Sequence, residues 1–158
     1  MAKQNKRETW RGSMDDFLVG PLAEKAAGHL RDGACLLIHV DDKTFLYRRE
    51  KQKNTFTESA PCAADAELWL SSNTLQQMLD RANLPGTGMS HMGVAVFERI
   101  FHPVESERIR IRLEAGVFGL WQKGYFSVLK AGGPEVASYF ARLGQGGFSR
   151  MKDWLRKI

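Results

Sequence analysis

The stretch from Ala64 to Leu79, ADAELWLSSNTLQQML, changes its period halfway along. Ala66, Leu68 and Leu70 alternate with Asp65, Glu67, Trp69 and Ser71, which sets an apolar row on one face of a strand. Leu75, Met78, Leu79 and Ala82 then recur at three- and four-residue intervals, the stripe of an amphipathic helix. Asn73 followed by Gln76 has the spacing of a capping box for that helix. A strand that runs directly into a helix has two apolar faces to bury, so the fold must contain a sheet with helices packed over it.

The rest of the chain supplies both kinds of element. Met14, Phe17, Leu18, Leu22, Ala26 and Leu30 predict a helix from an N-cap at Ser13 to about Arg31, bent at Pro21. ACLLIHV (34–40) and TFLYRRE (44–50), joined by a DDK turn, read as a hairpin, and NTFTES (54–59) as a third strand ending before Pro61. LPGTG (84–88) is a loop. Met89, Met92, Val96, Phe97, Ile100 and Phe101 mark a helix that stops at His102-Pro103. ERIRIRL (107–113) alternates strictly, with Ile109, Ile111 and Leu113 on one side and Arg108, Arg110 and Arg112 on the other.

Residues 115–130 fit one helix through Phe118, Trp121, Tyr125 and Leu129, although YFSVL alone would pass for a strand. Gly132-Gly133 breaks it, and Pro134 opens another helix ended by Gly144. A last helix from about Phe148 opposes Phe148, Met151, Trp154, Leu155 and Ile158 to Arg150, Lys152, Arg156 and Lys157. The expected class is α+β: a five-stranded, mostly antiparallel sheet covered on one face by helices, with extra C-terminal helices. Residues 1–12 read as a flexible arm that can dock Trp10, residues 13–130 as one domain, and residues 131–158 as a helical extension packed on it.

At 158 residues, 43% apolar and 26% charged, the chain has the composition of an ordinary globular domain. Its longest apolar runs fall far short of the roughly 20 residues of a membrane span. Two distant cysteines and a polar start suggest a reducing cytoplasm. The net charge of +5 is spread along the chain, so charge alone separates solubility from anionic partners poorly.

Motifs of catalysis are missing: no phosphate-binding loop, no GxGxxG, no GxSxG, no HExxH and no cysteine or histidine pair at metal spacing. His91 and His102 share a helix face, yet eleven residues hold them about 16 Å apart. His39 in an apolar strand is more often a core residue than a titrating one, and Cys35 more often a small hydrophobe than a nucleophile. Arg108, Arg110 and Arg112, about 6.8 Å apart on one strand face, could track phosphates but lack interleaved aromatics. No cofactor is implied.

Three segments together resemble sterol-carrier-type (nonspecific lipid-transfer) domains: ADAELWLSSNTLQQML as the strand leading into a helix, GACLLIHVDD with KTFLYRRE as the first hairpin, and ERIRIRLEAGVFGLW as the last strand and following helix. The resemblance spans about Phe17 to Gln122. It departs from the family pattern where the last strand ends in Glu-Ala-Gly rather than Gly-Asp or Gly-Asn, and in the added residues 123–158. It implies an apolar tunnel between sheet and helices that binds lipid without covalent chemistry. The implied lining is Leu75, Met78, Leu79, Met92, Val96, Ile100, Phe118 and Trp121. Phe148, Met151, Lys152, Trp154 and Arg156 of the last helix would form a lid or touch an anionic membrane surface. The reading is a cytoplasmic, noncatalytic binder of a lipid or other apolar small molecule. Its rivals are a nucleic-acid or anion-binding module using the arginine strand and last helix, and a structural partner-binding domain.

Overall fold

The computed structural model describes residues 9–142. The last helix, with Phe148, Met151, Lys152, Trp154 and Arg156, lies outside the described residues, as do Gly144 and the arm up to residue 8. The described chain runs α1 (Thr9–Leu18), α2 (Pro21–Ala27), β1 (Cys35–Val40), β2 (Lys43–Glu50), β3 (Lys53–Glu58), β4 (Ala66–Leu70), α3 (Ser72–Ala82), α4 (Met89–Ile100), a 3-10 turn (Glu105–Glu107), β5 (Arg110–Leu113), α5 (Val117–Gln122), α6 (Tyr125–Ala131) and α7 (Gly133–Arg142). The class is α+β.

The five strands form one sheet in the order β3-β2-β1-β4-β5, antiparallel except for the β1–β4 pair. Two-residue turns make the meander. At the β2–β3 turn Lys51 and Gln52 both have positive φ, 49° and 62°, the type I′ arrangement that matches strand twist. Because β3 points the same way as β1, residues 59–65 must return along the sheet before β4 can pair in parallel with β1. The register places Leu36, Ile38, Val40, Phe45, Tyr47, Ala66, Leu68, Leu70, Ile111 and Leu113 on one face. The other face carries His39, Glu67, Trp69, Arg110 and Arg112.

The solid core sits at the β1–β2 end of the first face. Trp10 and Met14 of α1 and Leu75 and Leu79 of α3 close on Val40 and Phe45, with Phe56, Ile38 and Leu70 at the margin. Trp10 meets Phe45 edge-on at 5.2 Å, and Phe45 stacks on Phe56 at 5.0 Å. Burying each such side chain contributes about 1.5–3 kcal/mol.

Local starts and stops differ from the sequence reading at several places, and β5 starts at Arg110 rather than at Glu107, which closes a 3-10 turn. Helix α1 begins at Thr9 rather than after a cap at Ser13, because burying Trp10 draws the preceding turn into the helix. Inside that helix the Ser13 hydroxyl donates to the Thr9 carbonyl at 3.1 Å. The chain breaks at Val19-Gly20 and restarts with Pro21 at the first turn of α2, where its missing N–H costs nothing. The cap of α3 is Ser71, whose Oγ accepts from the Thr74 N–H at 3.1 Å, while Gln76 turns to Asp80 at 2.7 Å.

Residues 115–130 form two short helices with a break at Gly124, whose φ is +87°. A Cβ there would stand 2.0 Å from the His29 carbonyl oxygen, so only glycine lets α6 start against the end of α2.

Candidate functional site

The helices on the first face do not all press onto the sheet. Beside the solid core they leave an apolar cavity of about 360 Å³. Helix α1 gives it Phe17, α2 gives Leu22 and Ala26, α4 gives Met89, Met92, Gly93, Val96, Phe97 and Ile100, β5 gives Ile111, and α6 gives Val128 and Leu129, with its cap Gly132. No polar or charged side chain lines it. Gly132 is buried, and every other lining residue is only partly buried or exposed, although these are the apolar stripes of amphipathic helices facing inward. The volume falls at the small end of the roughly 300–1,000 Å³ typical of small-molecule sites.

Met92, Val96 and Ile100 thus line the cavity. Leu75, Met78 and Leu79 do not: they are buried, Leu75 and Leu79 in the cluster around Phe45. The strand and helix of ADAELWLSSNTLQQML therefore wall the solid core, not a shared tunnel, because α1 packs along α3 and fills the space between. Phe118 and Trp121 are also displaced from it. They lie 66% and 63% exposed on α5, with ring centroids 5.7 Å apart. The break at Gly124 explains this, since α6 rather than a continuation of α5 carries the wall. Phe17, Leu22, Ala26, Met89 and Phe97 were legible as apolar stripes, but periodicity does not distinguish a stripe on core from a stripe on a cavity.

A polar clamp holds the α5–α6 junction. Asp65, only 4% exposed, accepts from the Cys35 backbone N–H at 2.9 Å, the Tyr125 hydroxyl at 2.9 Å and Lys123 Nζ at 2.5 Å. Its own carbonyl accepts from the backbone N–H groups of Glu114 and Ala115. Arg31 N–H donates to the Lys123 carbonyl at 3.0 Å, and Lys123 Nζ also reaches Gly33 O at 3.4 Å. Burial, then the hydrogen bond to Asp65 and its negative charge, pushes the Tyr125 phenol well above its ordinary value. The clamp positions α6 and, with it, Val128 and Leu129. From sequence Asp65 read only as the polar side of a strand, since its partners lie 30 to 60 residues away.

The remaining chemical groups are engaged elsewhere. His39 lies half-buried between the Thr44 hydroxyl at 3.0 Å and Glu67 at 3.2 Å, and stacks on Trp69 at 4.9 Å. Arg112 binds Glu67 at 3.0 Å and also Glu114, while Arg108 donates to the carbonyls of His102 and Pro103. Arg110 lies over the Trp69 ring at 5.8 Å. His91 Nδ1 accepts from Gly88 N–H at the start of α4, and His102 sits at the loop beyond it, beside Glu107. Cys35 is half-buried and Cys62 exposed. Among the described residues no group of three His, Cys, Asp or Glu could hold a metal ion, and no helix is long and apolar enough to cross a membrane.

No family model and no curated protein matches the chain. A solved structure described as "UbiJ-SCP2 Ubiquinone synthesis protein" is similar over 71% of this chain and 77% of that one, at 11% identity and a TM-score of 0.40. A likeness of that size carries nothing about function.

Proposed function

We propose that this protein is a noncatalytic binder of a lipid, holding one apolar chain in the cavity walled by α1, α2, α4 and α6. The observation that carries this reading is the lining: apolar side chains from five elements converge on one space and none of them fills it. Hydrocarbon burial would supply the affinity, at about 0.8 kcal/mol per methylene. With no polar side chain in the lining, the cavity offers no donor or acceptor to read a functional group. Any headgroup would stay at the mouth, and chains of different chemistry but similar width would compete. Met89 and Met92 suit that tolerance, because the unbranched thioether adapts its shape at little cost.

The test is to purify the protein from cells, compare its mass under native and denaturing conditions, and analyse the organic extract. A copurifying lipid of defined mass is the expected result. A bare protein that also takes up no fluorescent acyl chain would sink the proposal.

A further inference from the structure

Four of the exposed large apolar residues among those described fall on α5 and α6: Phe118, Trp121, Phe126 and Leu129. Leu129, 53% exposed, is also a lining residue of the cavity. Beside Trp121 lies a depression of about 420 Å³ formed by Gly28, His29, Arg31, Gln122, Gly124 and Ser127. It contains a guanidinium, an imidazole, a hydroxyl and an amide, and no carboxylate. Among the described residues the side chains of His29 and Arg31 have no hydrogen-bond or ion-pair partner, and neighbouring Asp32 is turned to the Gln52 N–H at 3.1 Å. Lys130 is exposed one helical turn after Phe126.

We infer that the α5–α6 face docks on an anionic phospholipid bilayer, with Phe118 and Trp121 entering the interface and a lipid phosphate seated in the Arg31–His29–Ser127 depression. This rests on the lipid reading of the cavity. Charge selects the occupant. An apolar patch beside the exposed Arg31 complements an anionic surface, whereas a second copy would bring like charges together. Trp121 fits the arrangement because an indole is apolar over its faces and polar at one edge, as the boundary between headgroups and acyl chains requires.

The experiment is cosedimentation of the full chain with phosphatidylglycerol vesicles and with phosphatidylcholine vesicles. It compares the native protein with the double variant Phe118→Ser/Trp121→Ser and with Arg31→Gln. Urea unfolding and light scattering on each protein report fold and oligomeric state. Binding to the phosphatidylglycerol vesicles is expected, at least tenfold weaker in the double variant and about fivefold weaker in Arg31→Gln, with urea midpoints unchanged. Absence of binding by the native protein, or equal binding by the double variant, overturns the docking face. Equal binding by Arg31→Gln overturns the phosphate assignment. A double variant that becomes monomeric from a dimer, or whose urea midpoint drops, shows the patch covered by another copy or by the chain itself, and also overturns it. Uptake of a fluorescent acyl chain without vesicles separates the two proposals. Uptake without vesicle binding leaves the cavity reading standing alone, and vesicle binding without uptake removes the cavity reading instead.

Discussion

Tyr125 links the stability of this protein to pH. In the unfolded chain its phenol ionises near its ordinary value of 10.0, while in the folded protein burial and the contact with Asp65 hold the proton on. Above pH 10 the folded state therefore binds more protons than the unfolded one, and stability falls as pH rises. Tyr47, raised by burial against the opposing charge of Arg49, adds to the same decline. Tyr125→Phe should remove its share of the slope, up to about 1.4 kcal/mol per pH unit, in urea titrations between pH 9 and 11. An unchanged slope would mean that the hydroxyl is not held as described. Gly124 is constrained differently. Gly124→Ala combines a left-handed backbone, costing about 1–2 kcal/mol, with a collision against the His29 carbonyl. Its urea midpoint should fall by more than the backbone term alone, and acyl-chain uptake should fall with it as α6 shifts. A midpoint within error of the native one would show that α6 starts elsewhere.

At the level of elements, the cavity and the core make opposite demands on substitution. Val96 is on the cavity wall, so Val96→Trp fills space that no side chain occupies and should abolish acyl-chain uptake while leaving the thermal midpoint level or higher. Met78 is buried on α3, so Met78→Lys places an unpaired charge in the interior and should cost about 3–5 kcal/mol, losing uptake only through loss of fold. If Val96→Trp binds as well as the native protein, the cavity is not the site. The same contrast shows what the sequence made legible. The strands β4 and β5 and the helices α3 and α4 were readable because their periods of 2 and 3.6 are written in side-chain order, and β1 to β3 from a short apolar run, β-branched and aromatic residues and the turns between them. The alternation of Ile109, Ile111 and Leu113 even assigned the inward face of β5. Which helix stripe meets core and which meets cavity depends on how far α1 lies from α4, and no period records that distance. The split of residues 115–130 was hidden for a similar reason: Gly124 tolerates a helix locally, and it is the His29 carbonyl, far away in sequence, that leaves no room for a side chain there.

For the whole molecule, the proposed function predicts a length law. Each methylene added to a linear acyl ligand should tighten binding about fourfold, at about 0.8 kcal/mol, until the cavity is filled and the affinity levels off. A titration series of saturated chains would show the slope and the plateau, and affinity independent of chain length would refute burial in the cavity. Ligand at a hundred times its dissociation constant should add about 2.7 kcal/mol to unfolding, visible as a raised thermal midpoint. The clamp also sets an order of events during synthesis. Arg31, Gly33 and Cys35 leave the ribosome early, yet their partners Lys123 and Tyr125 come some ninety residues later. Once β5 is complete, the sheet and α4 already form one side of the cavity, and at roughly 5–20 residues per second α6 follows about 1–4 s afterwards. For that interval every nascent chain carries an open apolar trough, exposed to misassociation and open to a lipid in the same few seconds.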